Sequence, residues 1–271
     1  MKTPQNQRWT NRIDSYRHAD EPIDPSRYGV EVIYSDKLAK KFVVDHHYSA
    51  SFPAARCRVG LYRSTPFRVP ELVGVAVFSV PMSNAALQKH CGTTEAVELG
   101  RFVLLDSVPG NGETWFLARA FRILEEEKPE IRAVLSYSDP IPRQSADGRL
   151  VLPGHVGTIY QAFNGRHVGR SKAASHVLDR DGRVVSPRAL SKLRNDTKGA
   201  GYAYELLRAA GAPSRRALES SRDYVSRALV EGPFRRLRHP GNLAYVWAVG
   251  DAKKRTRRSF PNPLQFVKAA A

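Results

Sequence analysis

The segment Ser107-Val-Pro-Gly-Asn-Gly112 joins residue types that can bind an anion. An apolar run from Val97 to Leu105 leads into it, and an amphipathic run from Glu113 leads out. A strand, a glycine-rich turn and a helix N-terminus together make a phosphate cradle. Glycines let the backbone approach a ligand, and the open N–H groups of the first helical turn point at negative charge. Pro-Gly-Asn-Gly is also a good plain turn. On the cradle reading, Ser107, Val108, Gly110, Asn111 and Gly112 hold the phosphate of a cofactor.

Acid–base chemistry is offered by two further segments. His46 and His47 end an expected helix beside Tyr48. Neighbouring helical side chains point about 100° apart, so one histidine faces a site and the other does not. The inward one can serve as a base or metal ligand, or it can simply meet the negative pole of the helix. Asp139 follows an expected strand at 131–137 and precedes Pro140, a position at the mouth of a cleft. It can take a proton, orient a histidine or share a metal, although Ser-Asp-Pro is also an ordinary turn opener. Ser138 lies next to it. Arg101 sits inside an apolar strand, where a guanidinium needs an anionic or multiply accepting partner unless it reaches water at an edge. His46, His47, Asp139 and His155 come from separate segments without close ligand spacing. Two histidines and a carboxylate suit non-haem iron, with His47 and Asp139 as the expected ligands.

Several elements must position these groups. Residues 1–28 are polar and read as a loose arm. Val30–Tyr34 alternates as a strand, and Ser35 caps a helix with Leu38, Phe42 and Val43 on its apolar face. Residues 56–63 and 71–80 pair as a hairpin, and 83–90 form a short helix. The strand at 97–105, the glycine bend, a helix from Glu113 to Lys128 and the strand at 131–137 come next. A short helix spans 158–163, and residues 175–185 form a hairpin around Asp181-Gly182. Helical signals dominate from Pro187 to Ala210, and 242–249 is a late strand that joins the core. Antiparallel strands followed by a strand–bend–helix–strand unit indicate an α/β fold with a mixed sheet flanked by helices. The expected division is the arm at 1–28, a core at 29–170 and a basic α+β extension at 171–271.

This order resembles the GNAT acetyltransferase fold, in which a splayed strand and the turn after it bind the diphosphate of acyl-coenzyme A. The signature of that family is Arg/Gln-x-x-Gly-x-Gly/Ala. Here Gly110 and Gly112 match, while Ser107 stands where Arg or Gln is usual. A closer resemblance is to the Mom proteins of Mu-like phages. It is carried by Asp45-His-His-Tyr-Ser49, Leu99-Gly-Arg-Phe-Val103, Ser136-Tyr-Ser-Asp-Pro140 and Gly154-His-Val-Gly-Thr-Ile-Tyr-Gln-Ala-Phe-Asn164. Those proteins convert adenine N6 in DNA to N6-(methylcarbamoyl)adenine, which blocks restriction. The resemblance implies that activity, with acetyl-coenzyme A or a related acyl donor. It makes His47 and Tyr48 the catalytic pair, joined by Arg101, Ser138 and Asp139, and puts Tyr160 near the acyl donor. Other readings are an acyltransferase acting on a peptide, a tRNA or a small amine, and a DNA-binding protein without activity.

The charge balance fits a polyanionic partner. The chain carries 43 Lys/Arg and 26 Asp/Glu, a net charge of +17. Between Arg166 and Arg258 there are 22 cations and 8 acids. Arginine's planar fork suits phosphates, so nucleic acid is the expected polyanion, and the resemblance implies double-stranded DNA as the partner. The candidate contacts are Arg166, Arg170, Lys172, Arg188, Lys192 and Arg194, with Lys253, Lys254, Arg255, Arg257 and Arg258 in the tail. Apolar runs are too short to span a bilayer. Cys57 and Cys91 are far apart and read as two buried thiols, and the cytoplasm of a bacterial host is the expected compartment.

Overall fold

A computed structural model describes residues 5–250, Met82 excepted. In chain order its elements are β1 (Gln5–Thr10), β2 (Ile13–His18), β3 (Tyr28–Val32), α1 (Asp36–His46), β4 (Ala55–Arg63), β5 (Glu71–Ser79), α2 (Asn84–Cys91), β6 (Ala96–Leu104), α3 (Gly112–Glu127) and β7 (Ala133–Ser138). There follow β8 (Arg143–Gln144), β9 (Leu150–Leu152), α4 (Thr158–Ala162), β10 (Arg166–Arg170), β11 (Ala174–Leu178), α5 (Pro187–Arg194), α6 (Ala200–Ala209), α7 (Ser221–Glu231), β12 (Arg235–His239) and β13 (Leu243–Ala248). The chain forms two compact units. Of the described residues, one comprises 5–140, 155–171 and 242–250, and the other 141–154 and 172–241.

The first unit holds a seven-stranded sheet in the order β10-β13-β7-β6-β5-β4-β3. All neighbours are antiparallel except β6 and β7. This is the mixed α/β sheet flanked by helices that the sequence indicates, with one adjacent parallel pair that splays apart. Its core is built on α3, which buries Phe116, Leu117, Ala120 and Leu124 completely against the sheet. Each large apolar side chain so buried contributes roughly 1.5–3 kcal/mol. Ser35 caps α1 by accepting from the Leu38 amide, and Phe42 and Val43 turn inward. The late strand is β13, which lies between β7 and the edge strand β10.

Residues 5–18 differ from the loose arm read from their polarity: they form the β1–β2 hairpin. Two side chains anchor it. Trp9 is buried with its ring 4.8 Å from that of Tyr48, and Arg8 is buried in an ion pair with Glu113. The hairpin also closes the end of α1, because Arg12 N–H donates to the His46 carbonyl at 2.9 Å.

In the second unit α5, α6 and α7 pack around Leu190, Leu193, Leu207, Tyr224 and Val225. The hairpin expected at 175–185 is reduced to one bridge, Leu178 to Val184. β11 pairs instead with β12, far along the chain. The Asp-Gly turn is local, but the hydrogen-bonding edge of β11 is satisfied by a strand whose arginine-rich sequence gives no strand signal.

Candidate active site

The parallel strands β6 and β7 pair only from Ala96 to Glu98 and from Ala133 to Leu135. Beyond that β6 follows β5 and β7 follows β13, so the two strands splay. A register shift opposite Val77 and Phe78 leaves Gly100 as a bulge on β6. A side chain there would meet Ser79 Oγ at 2.4 Å, so the tight crossing needs glycine. The Ser136 hydroxyl donates across the start of the splay to the Leu99 carbonyl at 3.0 Å.

His47 is brought to the splay by the end of α1, and it is buried. A hydrogen-bond chain ties it to β6. Arg101 Nη2 donates to Ser51 Oγ at 2.6 Å, Ser51 donates to Ser49 Oγ at 3.3 Å, and Ser49 Oγ lies 2.8 Å from His47 Nδ1. The Ser49 backbone N–H also donates to Nδ1, at 3.1 Å. An Nδ1 that accepts leaves the proton of the neutral ring on Nε2. Burial pushes the His47 pKa well below the ordinary imidazole value, and Arg101 and His155 push the same way. The ring is therefore neutral at pH 7 and presents an N–H. Tyr48 stacks beside it, with ring centres 4.2 Å apart. His46 points elsewhere: its Nδ1 accepts from the Asn11 amide at 3.2 Å.

Asp139 caps the far side of the splay, where its carbonyl accepts from the His155 amide at 2.8 Å. Burial drives His155 down to about 4, against the pull of the Asp139 carboxylate. Tyr160, on α4, is pushed up to about 12 by burial, although a hydrogen bond with Ser136 opposes the rise. Ser138 is fully buried beside Tyr245. The Tyr245 hydroxyl donates to the Val156 carbonyl at 2.5 Å. Its ring forces residue 157 to be glycine, since a Cβ there would lie 2.6 Å from the ring and φ is +72°. His47, Tyr48, Arg101, Ser138, Asp139 and Tyr160 thus belong to one neighbourhood in the first unit. Arg101 finds the multiple acceptors that a guanidinium in an apolar strand needs. Its bonds go to Ser51 and the Gly100 carbonyl.

Sequence reasoning missed Glu98, half-buried at the fork of the strands. Burial raises its pKa, and Arg101 lowers it. An acid in an apolar strand was the available signal. His155 and Tyr245 give no such signal, because only the fold brings them in.

The Mom protein family matches residues 28–217. The chain belongs to the Mom family. No curated protein matches it. Among solved structures it is similar to a tandem GNAT protein from the clavulanic acid biosynthesis pathway, solved without AcCoA. The TM-score is 0.40 at 8% identity, over 83% of this chain and 99% of that one.

The glycine bend of this Mom family member is not an open cradle. The Gly110 amide donates to the Glu21 carboxylate at 2.9 Å. Gly112 N–H donates to the Pro109 carbonyl, and Val108 N–H to that of Leu105. Asn111 Oδ1 accepts from Ile23 N–H at 2.9 Å, and the Asn6 amide donates to the Gly110 carbonyl. Val108 is core, while Ser107 points to solvent. Arg8 donates to the carbonyls of Leu105, Val108 and Pro109 and pairs with Glu113 at 2.5 Å. Desolvation would raise the Glu21 pKa, but the Arg17 guanidinium and the Gly110 amide outweigh it and hold the carboxyl low. The residues at the bend therefore do not fit the diphosphate of an acyl-coenzyme A.

Among the described residues no group of three or more His, Cys, Asp or Glu side chains is arranged to hold a metal, so the ligand set of His47 and Asp139 stays incomplete. Cys57 and Cys91 are free and buried. No described helix is long and apolar enough to cross a membrane. Of the candidate DNA contacts, Arg166 and Arg170 lie on β10 in the first unit. Lys172 and the α5 residues Arg188, Lys192 and Arg194 lie in the second, which carries 17 Lys/Arg and 8 Asp/Glu. Arg188 and Arg194 are exposed and make no ion pair among the described residues. Arg215 and Arg216, which also fall in the basic half, are exposed; Arg215 Nε donates to the Glu219 carbonyl at 2.8 Å, and Arg216 pairs with Glu231 at 3.2 Å. Lys253, Lys254, Arg255, Arg257 and Arg258 lie outside the described residues.

Proposed function

We propose that this protein is a DNA-modifying transferase that places a methylcarbamoyl group on adenine N6, with the β6–β7 splay as its active site. Family membership supports DNA modification or acyl-transfer chemistry. The observation that carries the finer reading is the convergence of His47, Tyr48, Glu98, Arg101, Asp139, His155 and Tyr160 on one splay.

Adenine N6 is a weak nucleophile, because its lone pair is delocalised into the ring. A stacked, paired adenine also hides it, so the base must leave the helix. The donor must already carry the whole methylcarbamoyl group on a leaving group: the N6–C bond forms, the bond from that carbonyl to the leaving group breaks, and one N6 proton is released. Each part falls to a group of this chain. The His47 Nε2–H is a donor for the developing negative charge on the carbonyl oxygen. The proton then goes to Asp139 on the opposite wall. Tyr160 stays a protonated phenol at pH 7 and can return a proton to the leaving group. Tyr48 offers a stacking face for the extruded base. Arg188, Arg194 and their neighbours supply phosphate contacts that hold DNA without reading it.

The test is mass spectrometry of nucleosides from DNA of cells that express the protein. An added mass on deoxyadenosine, lost in Asp139→Asn, is expected. Unmodified deoxyadenosine together with DNA-independent turnover of an acyl donor would assign the site to another amine.

A further inference from the structure

The bend before α3 has the sequence of an anion cradle and the surroundings of a closed one. We propose that Glu21 and Glu113 fill this cradle permanently, and that the acyl donor is held in the β6–β7 splay by its acyl end with no diphosphate on Gly110–Gly112. The second half rests on the transfer reading above; the first half does not.

A diphosphate needs open amides, room and a positive field. The amides of Val108, Gly110 and Gly112 are already donating, Gly110 to the protein's own carboxylate. Room is lacking as well. A Cβ on Gly110 would lie 1.7 Å from the His18 carbonyl oxygen. The glycine is thus accounted for by the close approach of the N-terminal hairpin, and Gly112 by Val108, 2.5 Å from its would-be Cβ. The field is neutralised too. Glu113 stands in the first turn of α3, where a bound anion would sit, and the Arg8 charge is matched to it. Arg17 is matched to Glu21 at 2.7 Å. Seating a diphosphate would mean stripping off the hairpin and exposing an ion pair whose side chains are 1% and 2% accessible. The splay keeps polar groups for a carbonyl, in His47 and Arg101. A short acyl-pantetheine therefore satisfies the site as well as an acyl-coenzyme A does.

The full chain labelled with ¹⁵N-glycine tests the first half. Inorganic diphosphate and coenzyme A should leave the Gly110 and Gly112 resonances unmoved, and the exchange protection of the hairpin amides unchanged. A saturable shift at Gly110, or lost hairpin protection, overturns the proposal whatever the protein modifies. Competition binding of acetyl-pantetheine and acetyl-coenzyme A tests the second. Affinities within tenfold are expected, and a larger preference for the coenzyme overturns it, as does a failure of both to bind. Loss of DNA modification with unmoved glycines would instead strike only the proposed function.

Discussion

Replacing Arg8 with Ala strands a carboxylate in the core. Glu113 pairs with Arg8 at 2.5 Å, and their side chains are 2% and 1% exposed. Removing one partner of such a pair costs about 3–5 kcal/mol, because the other charge stays buried without compensation. The carbonyls of Leu105, Val108 and Pro109 lose their donor as well, which places the loss toward the upper end. Typical domains are stable by about 5–15 kcal/mol, so the variant should fold marginally. Its pH dependence has a definite sign. Burial already raises the Glu113 carboxyl, and Arg8 is the main force lowering it. Without Arg8 the folded-state pKa rises further above the unfolded one. The native state then binds the extra proton, and stability is greatest below the unfolded pKa and falls as pH climbs through the folded one. The deficit should therefore be smaller at pH 5 than at pH 8. Urea unfolding followed by tryptophan fluorescence reads this cleanly, since Trp9, Trp115 and Trp247 all lie in the first unit. A loss under about 1 kcal/mol at pH 8, or a deficit that grows on acidification, would refute the account of the buried pair. The double variant Arg8→Met with Glu113→Leu should cost less than either single change.

Other expectations follow from the same geometry. His47→Ala should abolish modification while leaving DNA affinity within about twofold in a filter-binding assay, as expected of a group that acts on the reacting atoms alone. A large loss of binding would make the residue a DNA contact. Burial keeps His155 neutral down to about 4. Transfer rates should show no histidine-dependent fall between pH 8 and pH 6, and should drop only as the pH approaches 4. Gly157→Ala forces a side chain into a positive φ and onto the Tyr245 ring. It should cost about 1–3 kcal/mol in unfolding experiments. Arg188→Gln with Arg194→Gln should weaken DNA binding evenly across sequences and reduce its salt slope by about 2. An unchanged slope would take α5 off the interface.

The elements around the site were legible because their signals are local. Ser35 caps, Pro129 stops, and the spacing of Phe116, Leu117, Ala120 and Leu124 fixes a helix face. The likeness of four short blocks was legible too, and it gathered His47, Arg101, Ser138, Asp139 and Tyr160, which the fold brings to one splay. The bend failed for a non-local reason. Its residues are the same whether a ligand or the chain itself takes the amides, and the occupant, Glu21, lies 89 residues away along the chain. Polarity misled at residues 5–18, because hairpin pairing and two anchors, Arg8 and Trp9, outweigh a polar composition. Arg101 showed its need for acceptors, but not that Ser51 would meet it. β12 stayed hidden because Arg-Arg-Leu-Arg reads as a charged loop until β11 offers it an edge.

The strand that fills the gap between β7 and β10 is made from the last described stretch of chain. Until β13 emerges from the ribosome, β7 shows a bare edge, β10 has no neighbour, and the Tyr245 wall of the pocket is missing. A growing chain therefore carries its histidines, arginine and carboxylates for most of synthesis without a closed pocket to use them. For the base modification proposed above, assembly is itself a safeguard: a fragment released early is expected to be inert.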